Sequence, residues 1–163
     1  SAAELAAAGD TVMFCLSKGL AAPVGSLLVG DASTLAEARR VRKMLGGGMR
    51  QAGILAAAGL VALDEMAPRI ADDHLTARRL AEKLAAVPGI VLDPASVETN
   101  IVFFELDPAL PLTASELARR LTGLGVLVHA LGPDSVRMVT HYHITLDHVD
   151  HAAAVTEEIL RSA

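Results

Sequence analysis

The chain has 163 residues, of which 52% are hydrophobic and only 2% aromatic, with no tryptophan, one cysteine and a net charge of −5. That length and apolar content suffice for a sizeable core, although much of the content is alanine, which buries little area per residue and demands close packing. The acidic balance and the scarcity of stacking rings argue against a nucleic-acid partner, a lone cysteine excludes an intrachain disulfide framework and fits a reducing, cytoplasmic setting, and no segment is long and apolar enough to span a bilayer.

Ser1 to Gly9 carries no initiator methionine and no basic, apolar leader, and reads as the tail of a helix with Gly9 at its C-cap. Asp10-Thr11 then leads into a strand bearing Val12, Phe14 and Leu16, which ends at Lys18 and a glycine-bearing turn. A lysine so placed has two readings. In one it ends a strand with its amine in water; in the other, apolar surroundings disfavour the ammonium form and leave a nucleophilic amine able to condense with a carbonyl. Cys15 has apolar flanks and reads as an inert buried thiol.

Leu27 to Val29 is a second short strand, after which Ser33 or Thr34 caps a helix running toward Leu45. Gly46-Gly47-Gly48 ends that helix, either as a flexible C-cap or as a backbone that lets a ligand or neighbouring subunit come close. Lys43 and Arg50 bracket these glycines where an anion could sit; the alternative is a solvated basic face shared with Arg39, Arg40 and Arg42. Gln51 to Leu63 is apolar on every face, the pattern of a helix buried all round or held at a subunit interface.

Pro68 suits the first turn of a helix reaching Ala86, with Ile70, Ala77, Leu80, Ala81 and Leu84 inward and Asp72, Asp73, Arg78, Arg79, Glu82 and Lys83 toward solvent. Beyond Pro88-Gly89 the period changes. Ile90 to Leu92, Ile101 to Leu106, Val126 to Val128 and Val136 to Val139 read as strands, and Ala114 to Leu121 and Asp147 to Leu160 as helices. One antiparallel sheet covered on one face by two or three helices would bury these stripes as a small α+β layer. Arg137, flanked by strand-forming residues, needs a planar carboxylate partner, supplied either by a ligand or by a nearby Asp or Glu. His141, His143, His148 and His151 lack a fixed ligand spacing and read as surface or capping residues, so no metal is expected.

Three stretches are more specific than any single residue. Cys15-Leu16-Ser17-Lys18-Gly19-Leu20, Ala22-Pro23-Val24-Gly25-Ser26-Leu27-Leu28-Val29-Gly30 and Arg42-Lys43-Met44-Leu45-Gly46-Gly47-Gly48-Met49-Arg50-Gln51 closely resemble the low-specificity L-threonine aldolases, pyridoxal-phosphate enzymes of the aspartate-aminotransferase fold type. The likeness continues weakly through Glu98-Thr99-Asn100-Ile101-Val102-Phe103 and returns at Val136-Arg137-Met138-Val139-Thr140-His141.

The resemblance implies an α/β chain that is the C-terminal part of a fold-type-I pyridoxal-phosphate enzyme. Residues 1–63 would be the end of the large mixed-sheet, cofactor-binding domain with its long buried helices, and residues 64–163 the small α+β domain. It implies that Lys18 is the catalytic Schiff-base lysine, that Arg50 and Ser17 bind the cofactor phosphate, that Arg137 binds the substrate α-carboxylate, and that Lys43 is a weaker substrate-side candidate. The implied reaction is cleavage of L-threonine or L-allo-threonine to glycine and acetaldehyde. Two alternatives stand beside it: another lyase of the same fold type, β-eliminating or acting on β-hydroxy amino acids, and a non-catalytic oligomerisation module. The implied partners are a β-hydroxy amino acid, the N-terminal half of the enzyme, and further copies in a dimer or tetramer with shared sites. Ala21 stands where the family commonly has glycine, and the isolated chain is expected to be inactive.

Overall fold

The computed structural model describes all 163 residues and divides them between Pro68 and Arg69 into two units. The first opens on α1 (Ala2–Ala6), closed by a reciprocal cap between Ser1 and Glu4; its C-cap is Ala7 in a right-handed conformation, so Gly9 lies beyond the cap expected of it. β1 (Thr11–Cys15) and β2 (Ser26–Gly30) pair antiparallel, with Thr11 opposite Gly30 and Cys15 opposite Ser26. α2 (Ala32–Met44) follows, and its N-cap is Asp31 rather than Ser33 or Thr34. One Asp31 oxygen accepts from the Ser33 and Thr34 backbone N–H groups at 2.9 and 3.0 Å, which neither hydroxyl could do at once. Both hydroxyls donate to the same carboxylate and, with those N–H groups, hold its pKa far below the usual carboxylate range.

α2 ends in a Schellman motif. Gly46 adopts φ +85°, its N–H bonds the Lys43 carbonyl at 3.2 Å, and the Gly47 N–H bonds the Arg42 carbonyl at 2.8 Å. α3 (Gly53–Val61) runs on through a π-helical turn, Ala62–Met66. The helix is apolar all round, yet it is not buried: Gly59 alone is enclosed within it, and Ile54 is 84% exposed. Unit one holds no other layer to lay over that surface.

The second unit contains α4 (Ile70–Ala85), β3 (Ile90–Val91), β4 (Ile101–Leu106), α5 (Ala114–Gly123), β5 (His129–Ala130), β6 (Ser135–Val139) and α6 (Leu146–Arg161). Its four strands form one antiparallel sheet in the order β3-β4-β6-β5. Strict alternation in β4 and β6 sends Val102, Phe104, Leu106, Val136 and Met138 to one face, where Leu80, Leu84, Leu117, Leu121, Val149 and Ile159 of the helices meet them. Each such buried side chain contributes about 1.5–3 kcal/mol of transfer free energy.

Two expectations fail here for identifiable reasons. Val126 to Val128 is not a strand, because the Val126 N–H bonds back to the Leu121 carbonyl and Gly125 takes φ +82°, so these residues close α5 and the fourth strand begins only at His129. Asp73 does not face solvent but is 2% exposed, neutralised by Arg69 one turn earlier, whose Nη2 lies 3.0 Å from its Oδ1.

Candidate functional site

The segment between β1 and β2 is anchored by its apolar residues and presents its polar ones. Leu16, Leu20 and Ala22 are buried, whereas Ser17 and Lys18 are exposed. Backbone bonds from the Leu16 N–H to the Gly25 carbonyl (2.9 Å), the Ala22 N–H to the Leu16 carbonyl (3.0 Å) and the Ala21 N–H to the Lys18 carbonyl (2.8 Å) fix the path on both sides of the lysine. Leu16 also packs on α3 at Gly59, where an added Cβ would stand 3.3 Å from Leu16 Cδ1. The apolar surroundings expected for the Lys18 amine are not provided by this unit: the side chain is exposed and joins none of the chain's ion pairs. Ala21 holds φ +58°, a left-handed conformation that suits glycine.

The glycine segment after α2 lies along the Lys43 stem. A Cβ at Gly48 would come within 2.5 Å of Lys43 Cδ, so a side chain there would displace the lysine stem from its present path. Lys43 and Arg50 are exposed at its two ends and take part in no ion pair, whereas Arg40 on α2 is paired with Glu37. Ser17 and Lys18 thus share one turn, Lys43 and Arg50 flank one glycine segment, and both pairs belong to the first unit. Arg137 belongs to the second.

Arg137 stands on the face of the sheet opposite to the helices. Cross-strand register sets Phe103 on one side of it and His129 on the other. Side chains directly opposite in a sheet share a face, so these three form a row. Arg137 is half-buried; its Nε is enclosed without any hydrogen-bond partner, and the guanidinium joins no ion pair. The nearby Asp or Glu that could have satisfied it is not there. Leaving a buried donor unpaired costs about 1–3 kcal/mol, which a carboxylate laid against the fork would recover. Phe103 and His129 were not singled out from the sequence. The two-residue period of Ile101 to Leu106 contains the signal for Phe103, while His129 was hidden by the misplaced fourth strand.

The histidines serve local structure. His148 accepts the Thr145 N–H at its Nδ1 in the cap of α6, His151 Nε2 lies 3.2 Å from the Leu124 carbonyl, and His141 packs edge-on against His143. No group of three His, Cys, Asp or Glu side chains is placed to hold a metal ion. Cys15 is half-buried, with the Ser26 hydroxyl 3.8 Å from its sulfur.

Comparison with known proteins adds an independent line. The family described as Beta-eliminating lyase matches residues 1–107. Low-specificity L-threonine aldolase 1 of Arabidopsis thaliana is 43% identical over 157 residues, covering 96% of this chain but only 44% of that protein. Among solved structures, a candidate L-allo-threonine aldolase of Listeria monocytogenes EGD-E superposes with a TM-score of 0.77 at 16% identity, over 97% of this chain and 46% of the other. A structure described as SPT with a PLP internal aldimine gives a TM-score of 0.74 at 19% identity, over 94% and 40%. The fold is that shared by these fold-type-I enzymes. The chain spans less than half the length of each of them.

Proposed function

The chain belongs to the beta-eliminating lyase family, and on that premise we propose that it is the C-terminal half of a pyridoxal-phosphate-dependent L-threonine aldolase, which cleaves L-threonine and L-allo-threonine to glycine and acetaldehyde. The observation that carries the reading is Lys18 on a turn pinned at Leu16, Leu20 and Ala22, in a chain whose relatives at 40–43% identity are named for this reaction. The residues present fit the cofactor and its substrate. A primary amine outside every ion pair is free to condense with an aldehyde once the rest of the enzyme desolvates it, and a buried guanidinium N–H without an acceptor suits a carboxylate.

When bound, pyridoxal phosphate supplies an electron sink for the pair left as the Cα–Cβ bond breaks. Lys18 Nζ is the group that holds the cofactor and, once released, carries a proton to or from Cα. Arg50 and the Ser17 hydroxyl bind the phosphate, with Lys43 nearby on the substrate side. Arg137 binds the α-carboxylate through its planar fork. In this reading residues 1–63 belong to the cofactor-binding domain and residues 64–163 to the small domain. Ring stacking and the partner of the pyridine nitrogen come from sequence outside these residues, so the isolated chain is inactive. The exposed apolar side chains of α3, Ile54, Leu60 and Val61, support assembly with that remaining sequence and with further copies, in a cytoplasmic homo-oligomer.

The test is made on the complete enzyme. Glycine and acetaldehyde are expected from threonine, together with a visible cofactor band that Lys18→Ala abolishes along with activity. A keto acid in place of glycine would move the chain to the β-eliminating lyases, and a protein without the band would be a non-catalytic module. Arg137→Lys is expected to raise KM for threonine while leaving the band intact; an unchanged KM removes the carboxylate role from Arg137.

A further inference from the structure

Thr140, three residues after Arg137, continues the alternation of β6: Val136, Met138 and Thr140 face the helices, and Arg137 and Val139 face the open side. A hydroxyl at 1% exposure on an apolar face needs a specific partner, and it has one across the layer. Thr140 Oγ1 donates to the Asp73 carbonyl in the first turn of α4 at 2.6 Å. The same residue is gripped from Asn100, immediately before β4. Its N–H donates to the Asn100 carbonyl at 2.9 Å, and Asn100 Nδ2 donates to the Thr140 carbonyl at 2.7 Å. Arg69 then ties the two sides of this junction, bonding the buried Asp73 carboxylate at 3.0 Å while its guanidinium lies 5.8 Å from the centroid of the Tyr142 ring.

We propose that Thr140 and Asn100, seated on the Asp73 carbonyl, form a register clasp that keeps Arg137 on the open face of the sheet, and are positioning residues for substrate carboxylate binding. This rests on the reading of Arg137 given above. The physical reason is the two-residue period of a strand: a slip of one residue at the end of β6 turns Arg137 into the core and an apolar neighbour out. The ladder between β4 and β6 ends at Ile101 and Val139, and the bond from the Thr140 N–H to the Asn100 carbonyl carries it one pair further, to the frayed end where a slip would begin. The clasp secures that end pair with two side-chain bonds, and its hydroxyl can reach α4 in one register only.

The complete enzyme provides the test. Thr140→Val keeps the shape and removes the hydroxyl; KM for threonine should rise about tenfold, the effect of losing one or two such bonds, with kcat within about twofold and the visible cofactor band unchanged. Thr140→Ser should restore the wild-type KM. Asn100→Asp sets a carboxylate against the Thr140 carbonyl and is the second probe should Thr140→Val not fold, with the same split between KM and kcat expected. Amide exchange supplies a readout apart from activity: the Arg137–Thr140 amides should exchange slowly in the wild type and faster in Thr140→Val, while the C-terminal turns of α4 stay protected. A wild-type KM in a folded variant, or exchange at Arg137–Thr140 that is already fast in the wild type or unaltered by the change, overturns the clasp. Failure of the functional reading appears elsewhere, as a wild type that does not cleave threonine.

Discussion

In residues 69–163 one face of the sheet is closed: the inward side chains of β4 and β6 are covered by α4, α5 and α6, and Leu117, Leu121, Val136 and Val102 are wholly enclosed. In residues 1–68 the buried apolar residues are only Leu16, Leu20, Ala22 and Ala62, while Leu45, Met49, Ile54 and Leu60 are each more than half exposed. The unit that carries Lys18 and the glycine segment therefore does not close its own core, and the unit that carries Arg137 does. Lys18 is presented on a surface left open within its unit, whereas Arg137 is displayed on a sheet whose helix-side core is closed.

The largest expected effect tests that contrast directly. Residues 69–163 expressed alone should unfold cooperatively in urea, and residues 1–68 alone should give no cooperative transition and should bind a hydrophobic dye. The opposite result for either piece would dissolve the distinction. Next in size, Leu117→Ala should destabilise the second unit by about 2–5 kcal/mol, because nothing can collapse into the space left. Leu60→Ala in the isolated chain should cost under about 0.5 kcal/mol by denaturant titration, and markedly more in the complete enzyme if α3 is covered there. Ala21→Gly should raise the stability of the complete enzyme by about 0.5–1 kcal/mol in denaturant titration, the relief of a left-handed alanine less the added freedom of glycine in the unfolded chain.

The smallest effect is one of pH. Side-chain bonds from Arg119 and then Arg120 pull the Glu116 carboxyl down to about 2 from its ordinary 4.5. A lowered native value means that its contribution is complete above pH 4.5 and is lost as the pH falls toward 2. Tm should therefore decline through that window in the wild type and less steeply in Glu116→Gln. These groups lie at the surface, so added salt should diminish the difference.

Much of the second unit was legible because burial imposes its own period on strands and helices. Ile101 to Leu106 needed no correction, and the helix after it began where expected, at Ala114. The misreadings share a cause: at each, a particular hydrogen bond outweighs the local pattern. Asp31 displaces the expected caps by accepting two N–H groups at once, the Leu121 carbonyl captures Val126, and Arg69 makes a buried position tolerable for Asp73. At the candidate site, the residue types at 17, 18, 43, 50 and 137 were readable from motif. The unpartnered Arg137 Nε was not, since it depends on which carboxylates the fold withholds. The exposed Lys18 amine matches one of the two readings its position allowed; the choice between them rests on which apolar neighbours turn inward, which the local sequence does not say.

Gly59 gives the first unit a mechanical property. With no side chain at that position, α3 bears on Leu16 at its bare backbone, and Leu16 is tied in turn to Gly25 and Ala22 on the far side of the lysine turn. Only the Leu16 side chain stands between the helix backbone and the loop, so that one contact is where a movement of α3 meets the Lys18 turn.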